Sequence, residues 1–353
     1  MKTMLTKFDL QGLVRENVKR LVPYSSARDE FSGNGSVFLD ANENPFENGV
    51  NRYPDPLQKV LKQKLGEIKG IDPERMILGN GSDEVIDLLF RAFCEPNVDN
   101  VVICVPTYGM YEVAAGINAV QIKEVQLGKD FQPDVDKVMS AVDRNSKMLF
   151  LCSPNNPTAN LYEESKLVEL LEKCPGIVIV DEAYIDFAPG KSIVDKLDQY
   201  PNLVVLQTLS KAWGMAGIRL GIGMASKEIV DVLNRIKPPY NVNSLTQDKA
   251  LELLKNEEQC KDQVQEILSE RDELAKFLAE LKFVEKLYPT DANFILIKVN
   301  DAKALYNFLL ERGIIIRDRS KVKMLEACVR ITVGTKHENQ LLREALLDYN
   351  LER

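Results

Sequence analysis

Three short runs of apolar, often β-branched residues lie in the middle of the chain, at residues 148–152, 177–180 and 203–206. Stretches with helical character, such as residues 163–173, separate them. Short continuous apolar runs between helices are typical of parallel strands that helices cover on both faces. The pattern therefore predicts an α/β fold with a mostly parallel sheet.

A second alternation of apolar runs and helices follows the two prolines at 238 and 239. Apolar runs at residues 294–297, 314–316 and 329–333 flank a predicted helix at 302–312. We predict a large domain over residues 37–240. We predict a small α/β domain from residues 241–353 together with the N-terminal segment 1–36, in which residues 9–21 are expected to be helical.

Polar residues stand where the three central runs end. Asn156 follows the first run, Asp181 ends the second, and Lys211 comes shortly after the third. Open α/β sheets bind ligands beyond the carboxyl ends of their strands. The sequence thus predicts one site at this edge of the sheet.

These residue types are the ones that a protein needs to hold pyridoxal 5'-phosphate. Lys211 would form a Schiff base with the cofactor aldehyde, and Asp181 would keep the pyridine nitrogen protonated. Tyr184 and Asn156 would hydrogen-bond to the ring oxygen. Thr208, which begins the run that contains Lys211, is assigned to the same site. Each residue alone has an ordinary structural explanation, such as a helix cap or a turn, but the ordered set favours the cofactor.

Two elements are candidates for the cofactor phosphate. Ser210 and Arg219 flank Lys211 in sequence and offer a hydroxyl and a guanidinium group. Earlier in the chain, a short predicted strand at residues 75–78 is followed by glycines and an amphipathic helix. Backbone N–H groups of Ser82 and Asp83 at the start of that helix would bind an anion. The short glycine pattern lacks the full dinucleotide fingerprint.

Composition excludes several other classes of protein. The 353-residue chain has a formal net charge of -8, which argues against a basic surface that binds nucleic acid. Neither a membrane-length apolar stretch nor a secretory signal is evident, so a cytoplasmic enzyme is expected. The six cysteines lack a Cys-x-x-Cys pair and are predicted to be buried free thiols.

The single histidine, His337, limits the possible chemistry. Histidine-dependent nucleophilic catalysis and multi-histidine metal sites would both depend on this residue. We predict that it is a solvated residue at a helix start, that no metal is bound, and that the Lys211 amine transfers protons.

The sequence resembles the fold-type I pyridoxal-phosphate aminotransferases of class II from about residue 14 to residue 335. General motifs are Asn156-Pro157, Asp181-x-x-Tyr184, Ser210-Lys211 and Arg219. More specific motifs include Asn42-Glu-Asn-Pro45, Arg52-Tyr-Pro54 and Arg330-Ile-Thr-Val-Gly334. One departure is Ala159, because similar enzymes usually have glycine there.

The resemblance implies further residue roles. Tyr108 is expected to stack on the cofactor ring, and Tyr53 to reach the cofactor phosphate of a neighbouring subunit, which implies a homodimer. Arg330 matches the arginine that binds the substrate anion. Arg317 and Tyr24 match residues that line the substrate pocket.

The more specific motifs imply transfer of an amino group between L-histidinol phosphate and 2-oxoglutarate, as in histidine biosynthesis. An aromatic or broad-specificity aminotransferase is the alternative, since it would share every cofactor residue. A phosphothreonine-type decarboxylase would also bind a phosphate substrate. A cofactor-sensing regulator would carry a DNA-binding extension, which this sequence lacks.

Overall fold

The computed structural model describes residues 8–24, 37–190 and 192–351, in which two β-sheets are flanked by helices. The larger sheet contains β1 (Met76–Asn80), β2 (Asn100–Val105), β3 (Gln121–Gln126), β4 (Ser146–Cys152), β5 (Ile177–Asp181), β6 (Leu203–Thr208) and β7 (Leu220–Ala225). The smaller sheet contains β8 (Val284–Leu287), β9 (Phe294–Val299), β10 (Arg317–Asp318) and β11 (Cys328–Thr332).

The α-helices of the described residues fall before, between and after these strands. They are α1 (Leu10–Leu13), α2 (Glu16–Arg20), α3 (Lys59–Lys69), α4 (Ser82–Phe93), α5 (Met110–Ile117), α6 (Val135–Ala141), α7 (Glu164–Lys173), α8 (Lys227–Ile236), α9 (Ser244–Leu253), α10 (Glu257–Ala279), α11 (Ala302–Glu311) and α12 (Lys336–Leu351). Short 3-10 helices lie at Pro73–Arg75, Ile185–Phe187, Ile193–Lys196 and Ala216–Ile218.

The larger sheet has the strand order β1-β7-β6-β5-β4-β2-β3. The pairs from β3 to β6 are all parallel, and only β7 runs against its two neighbours. This confirms the predicted α/β class with a mostly parallel sheet. Because β4, β5 and β6 are adjacent and parallel, the residues that follow them meet at one edge of the sheet.

Side chains that alternate along the central strands divide the core of the larger sheet into two layers. Val178 and Val180 of β5 belong to one buried cluster, which includes helices α3 and α7. Ile177 and Ile179 belong to the other, which includes α4, α5 and α8. Burial of both faces explains why these strands read as unbroken apolar runs rather than alternating ones.

The smaller sheet is antiparallel throughout, with the order β10-β11-β9-β8. One of its faces forms a core with α10, α11 and α12, to which Ile295, Ile297, Val329 and Ile331 contribute. The other face carries Phe294, Leu296 and Cys328, which pack in clusters shared with residues of the larger sheet and its loops. The smaller sheet is thereby joined to the edge where β4, β5 and β6 end.

The N-terminal residues differ from expectation in two ways. Residues 9–21 form α1 and α2 rather than one helix, because the N–H of Arg15 donates to the carbonyl of Ala92 at 3.0 Å. Val14 and Val18 pack with α4 and α8 of the larger sheet, not with the small domain that this segment was expected to complete. The predicted division of the chain at residues 36/37 and 240/241 otherwise stays a prediction.

Other predicted elements are close to the observed ones. Residues 148–152, 177–180 and 203–206 lie within β4, β5 and β6, and residues 302–312 correspond to α11. The predicted strand at 314–316 is wrong, because strand pairing begins only at Arg317. His337 is an exposed residue in the first turn of α12, as predicted.

Candidate active site

A single pocket at the carboxyl ends of β4, β5 and β6 contains most of the predicted cofactor residues. The residues that line it are Gly81, Ser82, Asp83, Tyr108, Cys152, Asn156, Asp181, Ala183, Tyr184, Thr208, Ser210, Lys211 and Arg219. The loops that follow adjacent parallel strands supply most of this set, and the N-terminus of α4 supplies the remainder. Sequence and structure thus agree on the place of the site.

Asp181 lies at the buried end of the pocket, with 2% of its surface exposed. The hydroxyl of Tyr111 donates to Asp181 Oδ2 at 2.7 Å, and the N–H of Ala183 donates to Oδ1 at 3.2 Å. Burial raises the pKa of the Asp181 carboxyl to about 6, although both donors oppose that shift. The charged form of a buried carboxylate is stabilised when a ligand places a cationic group against it.

Lys211 faces the same pocket from the loop after β6. Its Nζ lies 5.6 Å from the centroid of the Tyr184 ring. Partial removal from water lowers the pKa of the amine, and the nearby charges of Arg330 and Arg219 lower it further. A lowered pKa increases the fraction of neutral amine, which is the form that acts as a nucleophile or takes up a proton.

Donors for an anion converge at the N-terminus of α4. Arg219 Nη1 donates to Ser210 Oγ at 3.5 Å, and Arg219 Nη2 lies 3.9 Å from Asp83 Oδ2. The helix begins at Ser82, so its first N–H groups and the positive end of its dipole face this end of the pocket. The set suits a phosphate group.

Gly81 keeps this end of the pocket open. The residue has a φ of 75°, a conformation that favours glycine, and a Cβ there would lie 2.6 Å from Arg219 Nη2. Arg219 itself adopts a left-handed backbone with a φ of 56°, and its carbonyl accepts a hydrogen bond from the Gly81 N–H at 2.9 Å. Strained backbone of this kind is held only where surrounding contacts determine it, often at functional sites.

Aromatic and amide groups complete the pocket walls. Tyr108 donates to Asp83 Oδ1 at 3.0 Å and meets Tyr111 edge to face. Asn156 Nδ2 donates to the Tyr184 hydroxyl at 3.3 Å, so the amide and the phenol lie side by side, and their contact with the cofactor ring oxygen stays a prediction. A planar ligand with a phosphate at one end and a basic ring nitrogen at the other fits this arrangement of groups.

Thr208 lies in the pocket wall, but its hydroxyl is used within the loop. Oγ1 accepts from the Ser210 N–H at 3.1 Å and donates to the Leu220 carbonyl at 3.3 Å. The side chain therefore shapes the turn that carries Ser210. Direct contact with the cofactor stays a prediction.

Arg330 approaches the pocket from the smaller sheet. Its Nη1 donates to Asn156 Oδ1 at 2.5 Å, and its guanidinium lies over the Phe294 ring at 5.0 Å. Burial, followed by the charge of Arg319, lowers the pKa of Arg330 to about 10. Arg317 is directly opposite Arg330 on β10 and is exposed.

Apart from the arginine at its mouth, three predicted residues do not line this pocket in the single chain, and one of them is the exposed Arg317 on β10. Tyr53 stacks on Tyr240 with 4.5 Å between ring centroids, in a separate surface groove, and is 51% exposed. Tyr24 lines another surface cavity, beside Lys237, and is 74% exposed. Their assigned roles stay predictions.

Sequence reasoning missed two residues at the site. Tyr111 holds Asp181 although 70 positions separate them, and it is fully buried against Phe150. Its spacing from Tyr108 could have indicated that Tyr111 also lies at the site, because residues three apart share a face at the start of a helix. Arg319 lies two residues beyond Arg317, a spacing that places both on one face of an extended strand.

Ala159 adopts a left-handed backbone with a φ of 70° and is fully buried. The turn thus needs the conformation for which similar enzymes use glycine. Hydrogen bonds hold it from both sides, from the Ala159 N–H to the Asn155 carbonyl and from the Asp291 N–H to the Ala159 carbonyl, both at 2.8 Å.

Residues 8–24, 37–190 and 192–351 contain neither a metal-binding cluster nor a membrane-spanning helix. No group of three or more histidine, cysteine or acidic side chains in these ranges is arranged to hold a metal ion. No helix within the same ranges combines the length and apolar character needed to cross a bilayer.

The pocket combines a buried carboxylate, a lysine of lowered pKa and anion-binding groups at the start of a helix. These groups are those of a cofactor-dependent enzyme with an α/β fold. The family described as aminotransferase class I and II matches residues 38–346, and the chain belongs to that family. A protein from Flavobacterium johnsoniae named histidinol-phosphate aminotransferase is 55% identical over 345 residues, covering 97% of this chain and 99% of the relative.

Solved structures are similar in fold. The histidinol-phosphate aminotransferase from Clostridium acetobutylicum matches with a TM-score of 0.80 and 26% identity, covering 86% of this chain and 92% of the other. The histidinol-phosphate aminotransferase from Sinorhizobium meliloti, solved in complex with pyridoxal-5'-phosphate, matches with a TM-score of 0.79 and 24% identity, covering 85% and 83%.

Proposed function

We propose that this protein is a pyridoxal-phosphate-dependent transaminase that moves an amino group between L-histidinol phosphate and 2-oxoglutarate, in the cytoplasm. The observation that carries the proposal is the convergence of Lys211, Asp181 and Arg219 in one pocket, with Arg330 at its mouth. The name of the 55% identical relative, aligned over almost its whole length, supports the substrate.

Bound pyridoxal phosphate supplies a carbonyl group for amines and an electron sink for negative charge on the substrate carbon. Lys211 Nζ moves the proton at that carbon, for which its lowered pKa suits it. The Asp181 carboxylate, which the Tyr111 hydroxyl orients, would hold a proton on the ring nitrogen. Ser210, Arg219 and the first N–H groups of α4 would bind the phosphate.

Arg330 is proposed to bind the anionic group of each substrate. Its Nη1 contact with Asn156 places the guanidinium beside the residues that would hold the cofactor ring. A guanidinium fork matches the geometry of both carboxylate and phosphate, so one arginine serves both substrates in turn.

A panel of amino donors tests the substrate. With 2-oxoglutarate as acceptor, we expect kcat/KM for L-histidinol phosphate to exceed that for phenylalanine and for tyrosine by at least about tenfold, because charge-assisted hydrogen bonds to the phosphate stabilise binding. Histidinol without its phosphate is the matched control and should behave as a poor donor.

Other results of this panel would reject the proposal. A preference for phenylalanine or tyrosine would make the protein an aromatic aminotransferase. Release of carbon dioxide from phosphothreonine, without formation of glutamate, would make it a decarboxylase.

We further propose that the active unit is a homodimer in which each copy contributes Tyr53 to the site of the other. Phe46, Val50, Tyr53 and Leu245 are all more than half exposed, which supports a covered apolar surface near this segment. Closed two-fold assemblies are the commonest oligomers, and a two-fold axis makes the exchange of Tyr53 mutual.

Mixing two inactive variants tests the exchange. Subunits with Lys211→Ala and subunits with Tyr53→Ala, denatured and refolded together, should recover up to about a quarter of wild-type activity, since half of the random dimers are hybrids with one intact site. Each variant refolded alone is the control. If Tyr53 serves its own subunit, no mixture recovers activity, and a fully active monomer in sedimentation would also reject the proposal.

A further inference from the structure

Asn241 contacts the turn between β1 and α4 but does not line the cofactor pocket. Its Nδ2 donates to the Leu78 carbonyl at 2.9 Å and to both oxygens of the Glu84 carboxylate at 3.2 Å. Its backbone carbonyl accepts from Asn80 Nδ2 at 2.6 Å. One residue, 157 positions from Glu84 in the sequence, therefore holds this turn at its start and at its end.

Glu84 closes the same turn from within the helix. Its carboxylate accepts from the N–H and from the Nδ2 of Asn80, the residue just before Gly81. The arrangement is similar to a capping box, in which a glutamate at the third helical position accepts from a backbone N–H before the helix. Gly79 leaves space for it, since a Cβ there would lie 3.1 Å from Glu84 Cβ. The amide of Asn241 meets this carboxylate and so fixes the capping geometry.

The oxygen of the Asn241 amide is held from the opposite direction. Lys237 Nζ donates to Asn241 Oδ1 at 3.0 Å, and Gln58 Nε2 donates to the same atom at 3.3 Å. Lys237 is buried, and its Nζ also donates to the Pro56 carbonyl at 3.0 Å. Two donors on the oxygen determine the orientation of the amide and leave its Nδ2 to face Glu84. A buried cation and a carboxylate are thereby joined through one amide, in a network whose bonds strengthen one another.

The turn held in this way carries the N–H groups that are proposed to bind the cofactor phosphate. Gly81 has a φ of 75°, and the helix begins at Ser82. The N–H groups of Ser82 and Asp83 bind one anion together only if the turn before them keeps its shape. Glu84 is an acid in the same first turn, where a negative charge turned towards the pocket would repel a phosphate. Donation from Asn241 keeps that carboxylate directed away from the pocket and offsets part of its charge.

We propose that Asn241 is a positioning residue for cofactor binding, which acts through Glu84 to fix the turn that aims the N–H groups of Ser82 and Asp83 at the phosphate. The inference rests on the proposed function, because it takes the phosphate of pyridoxal 5'-phosphate as the anion at this helix start. Loss of Asn241 weakens the binding of the phosphate and leaves the groups around the cofactor ring unchanged.

The test compares the binding of pyridoxal 5'-phosphate with that of pyridoxal, which lacks the phosphate, to the cofactor-free full-length protein. The variants are Asn241→Ala, Glu84→Ala and the double variant, and absorbance titrations give a dissociation constant for each ligand. Asn202→Ala is the matched control. Asn202 is a buried asparagine just before β6, at the end of the strand away from the pocket, and its Nδ2 donates to three backbone carbonyls.

In Asn241→Ala, the dissociation constant for pyridoxal 5'-phosphate should rise at least about tenfold, as expected for the loss of one charge-assisted hydrogen bond. The constant for pyridoxal should change less than about twofold, the scatter of uncoupled sites, because pyridoxal does not use the phosphate-binding groups. Asn202→Ala should lower the melting temperature and leave both constants unchanged. Because Asn241 acts through Glu84, the two single losses should combine to less than their sum in the double variant.

Equal weakening of both ligands, or unchanged binding of pyridoxal 5'-phosphate, would overturn the assignment, as would full additivity in the double variant. If Asn241→Ala does not fold, Asn241→Asp decides, because aspartate keeps an acceptor for Lys237 but cannot donate to Glu84. The absence of a selective loss of phosphate binding in that variant rejects the proposal. A wild type that binds pyridoxal as tightly as pyridoxal 5'-phosphate would reject the proposed phosphate site instead, which separates the two failures.

Discussion

Replacement of Lys211 by alanine is expected to abolish transamination, with turnover reduced by at least about 100-fold to 10,000-fold, the range of a lost general acid–base group. The amine faces the pocket 5.6 Å from the Tyr184 ring, and its pKa is lowered by partial burial and by the charges of Arg330 and Arg219. The other proposed cofactor contacts do not involve this side chain. Cofactor binding should therefore persist while the reaction stops.

Lys211→Arg is the matched control, because arginine keeps the positive charge but does not deprotonate in proteins. It should be as inactive as the alanine variant, which separates the chemistry of the amine from its charge. Single-turnover absorbance changes with histidinol phosphate measure the loss. Borohydride treatment of the wild type, followed by mass spectrometry, should locate the cofactor on Lys211. Near-normal turnover in either variant would end the aminotransferase interpretation.

The site residues that could be predicted from the sequence are those that lie at the end of a strand or shortly after it. Asp181 ends an apolar run and Lys211 follows the next one, so strand order alone brings them to one edge of the sheet. The same local reasoning found the helix that begins at Ser82, because glycines before an amphipathic stretch predict a helix N-terminus near an anion.

Contacts between distant segments could not be predicted in this way. The hydrogen bond from Tyr111 to Asp181 joins α5 to β5 across 70 residues, and no local pattern encodes that pairing. The position of Arg319 follows from the register of β10 against β11, whereas the apolar run predicts the strand at residues 314–316, before the pairing begins. Val14 and Val18 pack against the larger sheet beside contacts of Arg15 with Ala92, Arg91 and Glu95, which lie more than 70 residues away and which no local pattern encodes.

Asp181→Asn is expected to lower turnover by at least about 100-fold, a loss typical of removing one group aimed at developing charge. The amide keeps the shape of the side chain and can still pair with the Tyr111 hydroxyl and the Ala183 N–H. It cannot hold a proton on the ring nitrogen as negative charge develops on the substrate carbon. Cofactor affinity should fall much less than turnover, because the phosphate contacts are unchanged.

The pKa of Asp181 adds a dependence on pH. In the protein without cofactor, burial raises this pKa from 3.8 to about 6. The folded state then binds more protons than the unfolded state between those values, so the stability contributed by the group falls as the pH rises through that window. The cost of the buried charge is on the order of 3 kcal/mol above pH 6. A protonated ring nitrogen placed against the carboxylate would offset it.

The cofactor-free Asp181→Asn variant should therefore melt at or above the temperature of the cofactor-free wild type at pH 8, and the difference should shrink as the pH is lowered towards 5. Cofactor affinity of the wild type should weaken as the pH falls through about 6, and the asparagine variant should lack that part of the change. Thermal melts and cofactor titrations across this range measure both effects. A structural cap would give the opposite pattern, in which the variant loses stability while each folded molecule keeps its turnover. Gain of stability together with loss of turnover would mean that Asp181 is retained for the reaction, at a cost to the fold that only the bound cofactor offsets.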